Sequence, residues 1–281
     1  MYKFVKDYKR NDSLRESFIN LAKSTFGIDF TDWYEKGFWS ADYIPYSYLD
    51  DEVIISNASF SYMDVIFDGI KHKIIQFGTV MTSIEYRNKG LAYNLIKKVI
   101  EDNKDIKLFF LAADEDAISL YERCGFKKSP TYNYIYKQEE NNSDRKSFEN
   151  VILPEKEFYD LKTYSLPISN KLCAVGDYFV HMFKYDQLNY SKKVYKFGND
   201  IYAIMELSEN EVEIYGFFSP NDLDISKILE EYEFSNRLIK LKFTPNSMEH
   251  YQIEELFDGW MVLENGLSFP KYASFPEISK T

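Results

Sequence analysis

A chain of 281 residues with 45% hydrophobic residues has enough apolar material for two domains with real cores, which excludes disorder as its main state. Its formal net charge of −11 makes nucleic-acid phosphate a poor partner and favours the approach of a cationic substrate such as an amine. No apolar run reaches the length of a membrane span, the start lacks the apolar core of a signal peptide, and the 2 cysteines (Cys124 and Cys173) make no disulfide framework and no metal spacing with His72, His181 and His250. The expectation is a reduced, cytoplasmic protein with no metal, no nucleic-acid partner and no membrane partner.

Asp12–Ser24 reads as a helix, capped by Asp12 or Ser13, with Leu14, Phe18, Leu21 and Ala22 on one face. An aromatic loop follows, holding Phe30, Trp33, Tyr34, Phe38, Trp39, Tyr43, Tyr46 and Tyr48. Strands are expected at Val53–Met63 and Ile74–Ser83, joined as a hairpin through the turn pair Asp68-Gly69. The second strand runs on into Arg87-Asn88-Lys89-Gly90-Leu91-Ala92, a turn through glycine. A helix over Leu91–Asn103 begins there, with Leu91, Ala92, Leu95, Ile96, Val99 and Ile100 at helical spacing. Free backbone N–H groups at such a helix start hold phosphate, and Arg87 and Lys89 add positive charge. A phosphorylated ligand is therefore expected at this turn.

Leu108–Ala113 reads as a buried strand, Asp116–Cys124 as a helix closed by Gly125, and Tyr132–Tyr136 as a last strand. A strand, a crossover helix and a further strand point to an α/β sheet with helices on its faces. Lys137–Asn150 is polar, charged and nearly free of apolar residues, which is how linkers read. The expected division is a first domain over 1–138, a linker over 139–150, and a second, smaller α/β domain over 151–281. In the second half, strands are expected at Tyr178–Phe183, Ile201–Leu207, Val212–Phe218 and Leu238–Phe243. Helices are expected at Leu223–Tyr232 and Met248–Leu256, and an irregular tail at Asn265–Thr281 with Pro270 and Pro276.

Two blocks resemble the GNAT superfamily, the Gcn5-related N-acetyltransferases. Arg87-Asn88-Lys89-Gly90-Leu91-Ala92 follows the family's Arg/Gln-x-x-Gly-x-Gly/Ala signature, with Glu85-Tyr86 as its usual lead-in. Asp114–Lys128 resembles the second cofactor segment, Asn-x-x-Ala-Ile-x-Leu-Tyr-x-x-x-Gly-Phe. The resemblance covers residues 1–140. It implies the GNAT acyl-CoA N-acyltransferase fold: a mixed central sheet flanked by helices, with two parallel strands splayed around acetyl-CoA as cosubstrate. It also implies that the backbone of Val80, Met81 and Thr82 pairs with the pantetheine arm. Arg87, Asn88, Lys89, Gly90, Leu91, Ala92 and Tyr93 would hold the pyrophosphate, with Asp114 as a further contact. Tyr121 would act as general acid toward the departing thiolate, a task suited to a phenol that is protonated at neutral pH. Two positions depart from the pattern. Asp114 stands where the family has Asn, so it accepts a hydrogen bond but donates none, and Ile84 replaces a proline.

The aromatic loop falls where the family builds its acceptor site. Trp33, Phe38, Trp39, Tyr43 and Tyr46 read either as an apolar or cation-binding wall or as a lid packed on the core. No motif singles out a base among Asp29, Asp32, Glu35, Asp42 and Glu85. Some two-domain members of the superfamily use the chain's own C-terminal carboxylate, and the resemblance extends that expectation to the tail at Thr281. The second half resembles a degenerate GNAT-like unit without the glycine turn, expected to shape the cleft or to mediate association into a homo-oligomer. The function implied is acetyl transfer from acetyl-CoA to a primary amine, on a small molecule or a peptide, by direct attack. The alternative is a non-catalytic CoA or acyl-CoA sensor. O-acylation and longer acyl groups stay open.

Overall fold

Apolar runs of period two become strands of two sheets here, and runs of helical period cover the faces of those sheets. The computed structural model describes residues 2–138, 144–235 and 237–281. The first half holds β1 (Lys3–Lys6), α1 (Asp12–Phe26), α2 (Thr31–Glu35), β2 (Tyr43–Asp50), β3 (Val53–Phe67), β4 (Ile70–Thr82), α3 (Leu91–Asp102), β5 (Leu108–Ala112), α4 (Ile118–Cys124), β6 (Lys127–Lys128) and β7 (Thr131–Tyr136). The second adds β8 (Glu149–Val151), α5 (Glu155–Tyr164), β9 (Leu172–Val175), α6 (Tyr178–Gln187), β10 (Val194–Phe197), β11 (Ile201–Leu207), β12 (Glu211–Phe218), α7 (Ile225–Glu231), β13 (Leu238–Leu241), β14 (Gln252–Leu256) and β15 (Trp260–Glu264).

One sheet runs β1-β2-β3-β4-β5-β15-β6, with β9 paired to the far end of β3. The other runs β14-β7-β13-β12-β11-β10-β8. The strand expected to end the first unit, β7, instead pairs with β13 and β14 in the second sheet. In return β15, from late in the chain, lies between β5 and β6 of the first sheet. A division at 138 and 151 therefore does not separate the sheets. The polarity of a connection reports its exposure, not the pairing of the strands beside it. Residues 139–143 of the expected linker lie outside the described residues. Its later part is structured: Lys146 bridges to Tyr232, and β8 pairs with β10.

Most expected elements form where the periodicity places them. The cap of α1 is Asn11, whose side chain accepts from the Leu14 N–H at 3.1 Å, one residue earlier than expected. Two segments change type. Tyr178–Phe183 is helix rather than strand, because its start is anchored: the Asp177 carbonyl accepts from the N–H groups of Val180 and His181. A short run of buried aromatic and aliphatic residues has no periodicity that separates the two states. Met248–Leu256 is largely strand rather than helix, since β7 offers an unpaired edge from Thr131 to Ile135. The aromatic loop is likewise partly regular, forming α2 and β2.

The first sheet separates two cores. Leu95, Ile96 and Val99 of α3 pack with Phe77 and Phe109 on one face. Each such fully buried side chain contributes on the order of 1.5–3 kcal/mol. Phe18 of α1, Trp33 of α2 and Phe179 of α6 pack with Phe110 on the other. The second half thus helps to cover the first sheet. Among the described residues no helix is long and apolar enough to cross a membrane.

A buried polar cluster fixes α6 to α5. Asp177 meets Lys162 Nζ at 2.9 Å and His181 Nε2 at 3.0 Å. Burial opposes the Asp177 charge, but Lys162 and His181 hold its carboxyl well below the ordinary carboxylate range. Burial also pushes the His181 imidazole down, from its ordinary 6.5 to about 4, against the pull of Asp177. Between those pH values the unfolded chain carries the His181 proton and the folded chain does not. Stability therefore falls as pH drops through that window, by up to about 1.4 kcal/mol per unit. Urea midpoints measured from pH 7 down to pH 4.5 are expected to decline, and His181→Gln to flatten the decline.

Candidate active site

The site begins with a strand pair that fails to stay paired. β4 and β5 run parallel and match only at Ile75 with Phe109 and Gln76 with Phe110. Beyond Gln76 the two strands part. At the same place β4 carries a bulge: Asn57 of β3 opposes Met81 and Ser59 opposes Gly78, so β4 has one residue more than β3 between them. Thr79 takes the extra bend with a positive φ of 54°. Buried side chains hold it there. Asn57 Nδ2 donates to the Thr79 carbonyl at 2.7 Å, and the Tyr43 hydroxyl donates to Thr79 Oγ1 at 2.9 Å. The bulge frees backbone groups at the gap to pair with something other than a strand.

Downstream, the glycine turn has the shape of an anion cradle. Asn88 and Gly90 take left-handed φ values of 62° and 74°. The first helical bond of α3 runs from the Asn94 N–H to the Gly90 carbonyl, which leaves the N–H groups of Leu91, Ala92 and Tyr93 without partners inside the helix. They sit at the positive end of a 12-residue helix dipole. Arg87 is exposed and its Nε donates to the Thr82 carbonyl at 3.2 Å. The Lys89 ammonium lies 4.7 Å from the centroid of the Tyr86 ring.

A cavity of about 520 Å³ opens where β4 and β5 part. It is lined from both faces of the sheet, by Phe77, Leu111 and Tyr121 on one side and by Phe30, Trp33 and Tyr43 on the other. The gap thus passes through the sheet. Tyr121 is 6% exposed, and burial, with the nearby Asp114 charge second, pushes its phenol far above its ordinary value. It keeps its proton at any physiological pH.

The irregular tail closes the cavity, through Glu277, Lys280 and Thr281. Gln76, on the same strand face as Gly78, grips it: Gln76 Nε2 donates to the Ser279 carbonyl at 3.1 Å, and Gln76 Oε1 accepts from the Thr281 N–H at 3.0 Å. Lys184 Nζ donates to the Glu277 carbonyl at 2.7 Å. Lys280 Nζ meets Asp258 at 2.7 Å and Glu277 at 2.9 Å. Burial pushes the Lys184 ammonium down to about 8.

Of the acceptor residues read from the sequence, Trp33 and Tyr43 line the cavity. Phe38 instead stacks on Tyr159, Trp39 is packed among Phe18, Trp33 and Tyr43, and Tyr46 lies on the opposite face of the sheet, bonded to Lys6 and Asp102. Tyr43 and Tyr46 are an odd number of residues apart on one strand, so the pleat sends them to opposite faces. Of the cofactor residues, Val80 and Asp114 line the cavity, whereas the Met81 side chain is in the core and Thr82 Oγ1 bonds Ser56. None of Asp29, Asp32, Glu35, Asp42 and Glu85 lines it; its acids are Asp114, Asp258 and Glu277. Phe179, Phe183, Lys184 and the Gln76 grip on the tail left no motif to read. Gly78 did leave one, since a glycine inside a strand marks a bulge or a close approach.

The sequence model of the Acetyltransferase (GNAT) family matches residues 11–126, the segment that holds α1 to α4, the glycine turn and the second resembling block as far as Phe126. The match assigns that segment, rather than the whole chain, to the family, and the chain is an acyltransferase by class. None of the curated proteins compared with it matches. Among solved structures it is similar to a conserved protein of unknown function from Enterococcus faecalis V583, at 15% identity and a TM-score of 0.65, over 94% of this chain and 72% of that one. It is also similar to Eis1 from Mycobacterium abscessus, at 10% identity and a TM-score of 0.60, over 94% and 74% of the two chains. A GCN5-related N-acetyltransferase from Kribbella flavida gives 12% identity and a TM-score of 0.56, over 94% and 72%. At these identities the likeness shows a shared fold, and it extends across both halves of the chain.

Two substitutions separate the parts of the site. A Cβ at Gly90 meets nothing within 4 Å, but the positive φ strains any other residue. Gly90→Ala is expected to lower affinity for CoA about tenfold by calorimetry, with a stability loss of about 1 kcal/mol. A Cβ at Gly78 would come within 2.9 Å of Thr281 Oγ1. Gly78→Ala is expected to displace the tail and raise the KM for the acceptor while CoA affinity stays unchanged.

Proposed function

We propose that this protein transfers an acetyl group from acetyl-CoA to a primary amine by direct attack, with Tyr121 as general acid. The observation that carries the reading is the single cavity that opens where β4 and β5 part and is lined from both faces of the sheet. Thr79 and Val80 line this cavity outside the strand registers, and the anion cradle of Asn88 to Tyr93 follows on the same chain segment; together they are read as the places for the pantetheine and the pyrophosphate of the cosubstrate. The face with Phe30, Trp33 and Tyr43 offers an aromatic chamber to an acceptor. The thioester and the amine would meet at the gap.

Acetyl-CoA supplies an activated carbonyl. The amine attacks as its neutral form, the C–N bond forms, the C–S bond breaks, and the nitrogen releases its extra proton to solvent. A buried phenol held far from ionisation is a proton donor to the departing thiolate, which is itself a poor leaving group in an apolar slot. Asp258 and Glu277 are tied to Lys280, so neither is assigned as base. The expectation that the tail approaches the acceptor is supported by Thr281 lining the cavity. The second half of the chain is assigned a shaping role, supported by its sequence having no second glycine turn of this kind and by the placing of Phe179 and Phe183 of α6 against the same cavity. A reducing, cytoplasmic setting is supported by two free, buried cysteines, Cys124 and Cys173.

The test is release of free CoA from acetyl-CoA in the presence of an amine panel. Tyr121→Phe is expected to lower kcat by about 100-fold with little change in CoA affinity. Tight CoA binding with no turnover of any amine would assign the chain to sensing instead.

A further inference from the structure

We infer that the acceptor is a small monoamine whose single amino group sits on an uncharged hydrophobic body, an arylalkylamine in preference to a polyamine or a peptide. The inference rests on the reading of the cavity as the acetyl-transfer site and names the substrate class for it.

Away from the gap, the cavity wall is built by Ile28, Phe30, Trp33, Phe179, Phe183 and Leu188. Phe183 stacks on Phe30 at 5.3 Å and 22° and meets Trp33 edge-on at 6.3 Å. These rings come from both halves of the chain and fix one another. Their polar atoms are already used. Trp33 Nε1 donates to the Phe179 carbonyl at 2.9 Å, and the Tyr43 hydroxyl donates to Thr79. The indole and the phenol therefore present ring surface to a ligand, with no N–H or O–H left to donate. A hydroxyl on the ligand could donate here to the Tyr43 oxygen but would receive no hydrogen bond from the indole or the phenol, and a buried polar group short of partners is penalised.

The charged groups of the cavity tell the same story. Lys280 is paired with both Asp258 and Glu277, and Lys184 is bound to the Glu277 carbonyl. These charges satisfy one another and the tail. Apart from Asp114, the acids of the cavity are already paired, so a second ammonium on a polyamine, or the charged flanks of a peptide, would have to break these pairs to be neutralised deeper in the cavity. Asp114 is exposed beside the gap, where the reacting amine would arrive. The net charge of −11 draws any cation toward the protein, so selection falls to the cavity and not to the approach. A volume of about 520 Å³, shared with the thioester end, admits a ring and a short arm. Phe26 and Leu188, at 40% and 46% exposure, extend the apolar lining to the surface.

The experiment uses the full chain with saturating acetyl-CoA and reads free thiol with phenethylamine, hexylamine, spermidine and a lysine-containing peptide as acceptors. Phenethylamine is expected to exceed spermidine and the peptide in kcat/KM by at least about tenfold, with hexylamine between. Phe183→Ala is expected to raise the phenethylamine KM about tenfold and to leave the acetyl-CoA KM unchanged. Phe183→Leu, which keeps an apolar side chain and most of the packing volume, should give a smaller rise in the same direction, so loss of fold and loss of recognition are told apart. Preference for spermidine or the peptide, or an amine KM indifferent to both variants, overturns the substrate class while acetyl transfer stands. No turnover of any amine by a protein that binds CoA overturns both readings.

Discussion

The parting of β4 and β5 is the constraint on which the rest depends. Two parallel strands hydrogen-bonded along their whole length would seal the sheet and leave no route between its faces. Here they match at two residue pairs and then diverge, with the bulge at Thr79 turning β4 away. Backbone polar groups so close to a core must find partners. The Thr79 carbonyl has Asn57, and the tail has Gln76. Thr79 and Val80 are left outside both strand registers. The gap through the sheet and the cradle-shaped glycine turn are the two features on which the proposed function rests.

That gap is stable only because the two halves of the chain are woven together. β15 covers the outer edge of β5 and β7 leaves for the second sheet, so neither sheet is complete without the other half. α6 packs on the face of the first sheet opposite α3 and sends Phe179 and Phe183 to the cavity. Its position is set by the buried cluster of Lys162, Asp177 and His181. Charges in such a place fix geometry more than they add stability, since desolvation offsets most of their attraction. The tail follows from the same arrangement: Glu277 is held by Lys184 of α6, and the residues after it reach the gap.

Legibility followed the range of the interactions involved. The helix over Leu91–Asp102, the strand over Leu108–Ala112 and the closing Gly125 were read from periodicity and caps, which act within a few residues. The glycine turn from Arg87 to Ala92 was read the same way, because a strand, a glycine and a helix start suffice to define it. Segment type failed at Tyr178–Phe183 and Met248–Leu256, where the deciding partners, Asp177 with its buried cluster and the edge of β7, act through tertiary contact. The wall of the cavity was half legible. The aromatic stretch announced Trp33 and Tyr43, but the pleat removed Tyr46 and packing removed Phe38 and Trp39.

By itself the sequence determined the local machinery: the cradle, the helix that backs it, and the phenol of Tyr121 in a block closed by Gly-Phe. These depend on spacings of a few residues, and short-range geometry is written in order along a chain. Only the tertiary structure decided what surrounds that machinery. It exchanged strands between the sheets, brought Phe183 against Phe30 and placed Thr281 beside Gly78. Those meetings join residues more than a hundred positions apart. They are settled by which faces and edges remain to be covered once every local element has formed, and no local pattern carries that information.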